Sequence, residues 1–283
     1  MAAEMLGKEV TAQMNVQIEG RVEALRKKWI CPALLMIRVG ENPGDLAYER
    51  SASKRCETLG VELKKKIFPA DVTQAELTDA IHDANEDISV HGVLMFRPLP
   101  KHLDEAFIAN ELSPGKDVDA MTDLSMSGVF TGKNIGFAPC TAQACMEILD
   151  YYKIGCAGKK AVVIGRSLVI GKPAAMLLLG KNATVTVCHT KTLNMAEIAR
   201  EADILIAAAG HAKMVTGDFI RPGQVVLDVG INLGEDGKLC GDVDYEAAFE
   251  KASFITPVPR GVGSVTASVL VKHVIEAAES ASL

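Results

Sequence analysis

The sequence contains no C-x-x-C pair, and its 7 cysteines (31, 56, 140, 145, 156, 188 and 240) are odd in number. A disulfide framework and a structural zinc site are therefore not expected, which leaves free thiols. The 6 histidines show no ligand spacing such as H-E-x-x-H, so no metal is expected. Long hydrophobic runs are missing too: "AAMLLL" at 174–179 is far too short to cross a bilayer. The opening "MAAEMLGKEV" has no basic segment leading into an apolar core. The reading is a cytoplasmic protein with no membrane partner. Basic residues are in deficit, 30 Lys and Arg against 36 Asp and Glu, and a net charge of −6 disfavours nucleic acid as a partner.

What is present is an ordinary globular composition, 48% apolar and 23% charged, over 283 residues. That suffices for one large domain or two of ordinary size. Short apolar runs at 33–40, 61–68, 92–96, 160–165, 183–189, 203–210, 224–230 and 252–258 read as strands. Helical stretches stand between them, among them 45–59, 73–88, 141–152, 171–180 and 193–201. The alternation predicts an α/β protein with a mostly parallel sheet. "DLSMSGVFTGKNIGFAPCT" carries Gly and Ser and little periodicity, so a boundary is placed near Pro139, with Thr141 as the N-cap of the next helix. A last helix, about 265–281, is expected to return to the first domain. The predicted division is 1–140 plus the C-terminal helix 265–283, and 141–264.

"AVVIGRSLVIGKPAAMLLLG" reads as strand, glycine loop and helix. Gly165 and Gly171 bracket the loop, and Pro173 sits in the first helical turn, where its missing N–H costs least. Such a turn aims backbone N–H groups at an anion. The spacing is G-x-x-x-x-x-G rather than the dinucleotide fingerprint, so alone it is also compatible with an ordinary strand-to-helix turn. The next strand should end over the adenosine ribose, about twenty residues on. It ends in Cys188-His189-Thr190-Lys191 without an acid, and Arg166 follows the first glycine. Arg, a hydroxyl and Lys suit a 2′-phosphate better than a free diol, so NADP is favoured, with NAD left open. His189 reads as a hydrogen-bonding strand-end residue, not a catalyst. "AAAGH" and "DVGIN" end two later strands in glycine, which admits a cofactor close to the backbone. The candidate dinucleotide residues are Gly165, Arg166, Ser167, Ile170, Gly171, His189, Thr190, Gly210, Gly230, Ile231 and Thr266. "TPVPRGVGSVT" forms a shaped loop suited to walling the nicotinamide.

Taken together, "VGENPGDLAY", "PGKDVD", "VIGRSLVIGKP", "TVCHTKT", "DVGIN", "GDVD" and "ITPVPRGVG" resemble the methylenetetrahydrofolate dehydrogenase/cyclohydrolase family, in order from about residue 35 to the C-terminus. The resemblance implies an N-terminal folate domain and a Rossmann-like dinucleotide domain with a cleft between them. It implies a homodimer and a small-molecule folate substrate. It also implies hydride transfer from 5,10-methylenetetrahydrofolate to the nicotinamide, followed in most members by hydration of the methenyl cation to 10-formyltetrahydrofolate. By matched motif, Tyr48 lies against the folate rings and Asp119 takes the pterin's amino edge; these are the candidate catalytic residues. Phe96, Pro98, Leu99, Pro139, Cys140, Thr141, Pro259, Gly261 and Gly263 complete the candidate substrate contacts.

Two departures bear on the chemistry. The family's Tyr-x-x-x-Lys has Ala52 in the lysine's place, and V-Q-L-P-L-P reads "MFRPLP", with Phe96 in the place of the lysine's glutamine partner. Lys54 lies roughly 120° around the helix from Tyr48 and cannot simply substitute; it reads as a surface residue or a contact to the folate tail. Arg97 reads either as a contact to the tail or as half of an ion pair. Arg260 and Ser264 replace the family's usual Gly and Pro. Hydride loss is assisted by the folate nitrogen's lone pair, whereas hydration needs proton transfers worth about 10²–10⁴-fold. The expectation is an NADP-dependent dehydrogenase that has lost the cyclohydrolase, with a separate cyclohydrolase possible in the same cell. The alternatives are a bifunctional enzyme, a non-catalytic folate- or nucleotide-binding protein, and an unrelated Rossmann dehydrogenase.

Overall fold

Each of the eight apolar runs contains a strand, and helical stretches return the chain so that neighbouring strands lie parallel. The computed structural model describes residues 1–234 and 237–282. Glu235 and Asp236, inside the span read as the dinucleotide domain, and Leu283, at the end of the expected last helix, lie outside the described residues. The strands are β1 (Ala3–Glu4), β2 (Ala33–Val39), β3 (Glu62–Phe68), β4 (Gly92–Met95), β5 (Lys160–Ile164), β6 (Thr184–Cys188), β7 (Ile204–Ala207), β8 (Val225–Asp228), β9 (Asn232–Leu233), β10 (Leu239–Cys240) and β11 (Phe254–Ile255). The α-helices are α1 (Gly7–Lys27), α2 (Pro43–Leu59), α3 (Gln74–Glu86), α4 (Glu105–Asn110), α5 (Asp123–Thr131), α6 (Cys140–Tyr151), α7 (Gly171–Gly180), α8 (Met195–Arg200), α9 (Tyr245–Lys251) and α10 (Val262–Ser280). Among the described residues no helix is long and apolar enough to cross a membrane.

Two compact units form. The first joins Met1–Ala12 to Thr141–Thr266. Its sheet runs β1-β11-β8-β7-β5-β6, every pair parallel. β7 and β8 are buried along their whole length, as sheet strands covered on both faces must be. β6, at the edge, is largely exposed. The pairing of β1 with β11 brings residues 1–12 into this unit, not into the unit of 13–140 to which the sequence assigns them. Two residues of strand give too short a pattern to read.

The second unit joins Gln13–Cys140 to the chain beyond Thr266. Its sheet is β3-β2-β4, all parallel. Helix α2 starts where Asn42 accepts the N–H of Gly44, with Pro43 in the first turn, and stops at Gly60, whose φ of 72° favours glycine. Edge strand β3 sets Lys64, Lys65 and Lys66 against Asp87, Glu49 and Asp83 at 3.2, 2.8 and 2.9 Å. A charged edge of this kind resists pairing with another chain. Arg21 of α1 pairs with Glu276 and Glu279 of α10, at 3.4 and 2.5 Å.

Two helices depart from the sequence reading. The stretch read as irregular before Pro139 contains α5, capped by Thr122, which accepts the N–H of Ser125, and ended by Gly132 at φ 66°. Helix α6 begins at Cys140, so Thr141 falls inside its first turn and is not its cap.

Candidate active site

In a parallel sheet the carboxyl ends of the strands share one edge, where ligands of open α/β folds bind. In the second unit that edge carries the end of β4 and the start of α2. The N–H of Phe96 still donates to Ile37 O at 2.9 Å, one residue past β4. The Arg97–Pro98 peptide is cis, and the N–H of Leu99 donates to Glu105 Oε2 at 2.7 Å. Phe96 is buried, with Arg97 half-buried and Pro98 exposed. The ring of Tyr48 meets that of Phe96 edge-on, centroids 6.0 Å apart at 83°. Ala52 is fully buried one turn further along α2, while Lys54 is exposed.

Asp119 reaches the same place through a turn that Asp117 holds. Asp117 has no exposure and accepts the N–H groups of Met121 and Thr122, both at 2.9 Å. Asp119 Oδ1 in turn accepts the N–H of Cys140 at 2.8 Å. Val118 O receives the Cys140 thiol at 3.2 Å and His273 Nδ1 at 2.9 Å. His273 stacks on Phe137, centroids 4.9 Å apart. Burial pushes the Asp119 carboxyl up, opposed chiefly by its hydrogen bonds from Cys140 and then by the positive charge of Arg97. Burial, and then the neighbouring Asp119, holds the Tyr48 phenol well above its ordinary value. Cys140 is likewise held protonated by burial and by Asp119. Tyr48, Phe96, Asp119 and Cys140 therefore converge, with Pro139 buried beside them in the chain. The arrangement offers an aromatic wall, one carboxylate acceptor and no amine in the place of Ala52. Asp117 and His273 escaped the sequence reading. "KDVD" contains Asp117, but a buried carboxylate facing backbone looks in sequence like a surface one.

The first unit holds the glycine loop between β5 and α7. Gly165 has φ 122°, and a Cβ there would stand 2.1 Å from Ala208 O. A Cβ on Gly171 would stand 2.2 Å from Gly165 O. Only glycine closes this turn, and it leaves Arg166, Ser167, Leu168 and Val169 exposed. The hydroxyl of Ser167 accepts the N–H of Ile170 at 3.2 Å. At the end of β6, His189 Nδ1 accepts the N–H of Lys191 at 3.1 Å, and Thr190 is exposed. A tight turn closed by two glycines, ahead of a helix start and carrying Arg166 and Ser167, fits a dinucleotide's phosphates.

Ile231 is exposed; Gly210 is exposed at φ 70°. Gly230 is buried, and a Cβ there would strike the Asp242 carboxylate at 2.3 Å. The loop after β11 has a cis Val258–Pro259 peptide, and a Cβ on Gly261 would stand 2.5 Å from Pro257 O. Gly263 is exposed, and a Cβ there would stand 3.6 Å from the Ile231 side chain. Arg260 sits at φ 89°, a conformation that favours glycine, with its guanidinium 3.7 Å from Glu4. Thr266 is buried, and its hydroxyl donates to Val262 O at 3.4 Å.

The model for the tetrahydrofolate dehydrogenase/cyclohydrolase catalytic domain matches residues 5–119, and that for the family's NAD(P)-binding domain matches residues 139–282. The bifunctional protein FolD of Carboxydothermus hydrogenoformans is 50% identical over 281 residues, covering 99% of this chain and 98% of its own. The crystal structure of the bifunctional enzyme FolD, methylenetetrahydrofolate dehydrogenase/cyclohydrolase, from Campylobacter jejuni superposes with a TM-score of 0.96 at 38% identity, covering 99% of both chains. That of the Trypanosoma brucei methylenetetrahydrofolate dehydrogenase-cyclohydrolase, complexed with NADP and an inhibitor, has a TM-score of 0.92 at 32% identity, covering 99% of this chain and 98% of its own.

Proposed function

Because this chain belongs to the tetrahydrofolate dehydrogenase/cyclohydrolase family, we propose that it oxidises 5,10-methylenetetrahydrofolate to the methenyl cation with NADP as the preferred acceptor. The observation that carries the reading is the convergence of Tyr48, Phe96 and Asp119 on one sheet edge. The Tyr48 and Phe96 rings suit the flat folate ring system. The Asp119 carboxylate suits an N–H and NH₂ pair, a charge-assisted contact that fixes the ring's orientation. The nicotinamide, when bound, accepts the hydride. Arg166 and Thr190, with no acid at the end of β6, support NADP over NAD. The resemblance to the family supports a homodimer.

The relatives' names support a second activity, the hydration that opens the cation to 10-formyltetrahydrofolate, and bifunctional catalysis is the reading that this similarity favours. One observation favours the narrower reading of a dehydrogenase alone. Ala52 and Phe96 stand where the family has a lysine and its glutamine partner, and both are buried. Tyr48 and Cys140 are held protonated, so neither replaces a general base. A paired assay on the purified protein decides. Methenyl formation is followed with NADP and with NAD, and methenyl hydrolysis is followed without dinucleotide. Hydrolysis well above the buffer rate establishes the bifunctional reading, and hydrolysis at the buffer rate the narrower one. No methenyl formation with either dinucleotide overturns both.

A further inference from the structure

Two buried carboxylates in the first unit face backbone N–H groups, and their partners define what they do. Asp242 has no exposure. Its Oδ2 accepts the N–H groups of Ala209 and Gly210 at 2.6 and 2.9 Å. Its Oδ1 accepts the N–H of His211 and the side-chain amide of Asn232, both at 2.9 Å. One carboxylate thus dictates the path of three successive residues after β7 and ties them to the segment after β8. Asp228 seats Asp242 in turn. Its Oδ1 accepts the N–H of Asp242 at 2.9 Å and that of Gly230 at 3.1 Å, and its Oδ2 accepts the N–H of Val243 at 3.0 Å. Glycines make the room: a Cβ on Gly230 would stand 2.3 Å from Asp242 Oδ1, and one on Gly241 1.8 Å from Asp228 Oδ2.

The strand order locates what this clamp shapes. From β5 the chain steps outward to β6, then crosses to β7, β8 and β11 on the other side. The reversal lies between β5 and β7, and a dinucleotide lies across such a point. With its phosphates on the loop after β5, the adenosine half lies toward β6 and the nicotinamide half toward the ends of β7 and β8. Those are the two ends that Asp242 joins. We propose that Asp242 is a positioning residue that shapes the nicotinamide half of the dinucleotide cradle, acting through residues 209–211 and Asn232. The proposal rests on the dinucleotide-binding reading above.

Each carboxylate oxygen serves two donors. An amide at position 242 keeps one acceptor and turns an NH₂ toward two N–H groups, whichever way it is oriented. The test is an equilibrium titration of the full chain, wild type and Asp242→Asn, with NADP and NAD. The adenosine-half fragments 2′,5′-ADP and 5′-ADP, which lack the nicotinamide half, are titrated alongside. The variant should bind the preferred dinucleotide at least tenfold more weakly and the matching fragment within twofold of wild type. Unchanged dinucleotide affinity overturns the proposal. So does an equal loss for dinucleotide and fragment, which would mark a loosening of the whole unit. A wild-type protein that binds neither dinucleotide overturns the dinucleotide reading itself, and the proposal with it. If Asp242→Asn does not fold, Asn232→Ala removes one donor and leaves the backbone contacts in place. It should weaken the dinucleotide severalfold with the fragment unchanged, and no selective loss there overturns the proposal.

Discussion

At Asp119 one carboxylate oxygen accepts the N–H of Cys140, and the carboxylate is the acceptor proposed for the pterin's amino edge. Asp119→Asn keeps the shape and converts an acceptor into a donor. Losing a charge-assisted contact costs about 1.5–3 kcal/mol, so the folate KM should rise about ten- to a hundredfold with the dinucleotide KM unchanged. Steady-state kinetics in both substrates checks this, and an unchanged folate KM removes Asp119 from the site. If the wild type does not hydrolyse the methenyl cation, Ala52→Lys alone should restore nothing. It would bury an ammonium against the Phe96 ring, where no amide receives it. Ala52→Lys with Phe96→Gln has both partners and should give measurable hydrolysis. Asp228 carries a pH signature. Burial raises its carboxyl to about 7, with the Asp242 charge adding and the N–H groups of Val243, Asp242 and Gly230 opposing. Its pKa in the unfolded chain is near 3.8. Between those values the folded protein holds a proton that the unfolded chain has released, so this group's contribution to stability falls as pH rises from about 4 through about 7. Urea unfolding at pH 5 and pH 8 should show that loss in the wild type and a smaller one in Asp228→Asn.

Helix α2 carries Tyr48 and Ala52, and an ion cluster at Glu49 ties it to the sheet beside its buried Ala52, Cys56 and Leu59. Arg38 of β2 and Lys65 of β3 each meet one oxygen of Glu49 at 2.8 Å, and Arg38 also donates to Gly40 O. Arg38 and Glu49 are both buried. Removing one partner leaves the other charge buried and unpaired, so Glu49→Ala should cost about 3–5 kcal/mol. Lys66→Ala breaks an exposed pair and should cost at most about 1 kcal/mol. Urea midpoints for the two variants check the ordering, and equal losses would show that the Glu49 cluster does not hold the element. Of the elements themselves, α2 and α3 were legible with side-chain caps at Asn42 and Thr73, and α7 was legible from the glycine loop and Pro173 at its start. Helix α1 was overlooked although Val10, Met14, Ile18, Val22 and Leu25 are buried along one face. That spacing was the available signal. In α5 the Gly and Ser content concealed a helix whose start is marked by Thr122 and whose end is marked by Gly132.

For the whole molecule, sedimentation should give twice the 30.1 kDa of the chain if the expected homodimer forms, and a monomer mass removes it. Arg166→Ala should weaken NADP far more than NAD, and equal losses for both would count against Arg166 as the 2′-phosphate partner. The sequence by itself determined the α/β class, the glycine loop after β5 and the folate-side motifs, because these depend on periodicity and on local spacing. It also located Ala52 and Phe96, because position along one helix and one strand end is a count of residues. Only the tertiary structure decided that Tyr48 meets Phe96, that residues 1–12 belong with the β11 sheet, and that Asp242 organises a loop whose first residue lies 33 positions before it. Those contacts join segments remote in the chain. A buried carboxylate whose partners are chiefly backbone N–H groups leaves little side-chain pattern to announce it.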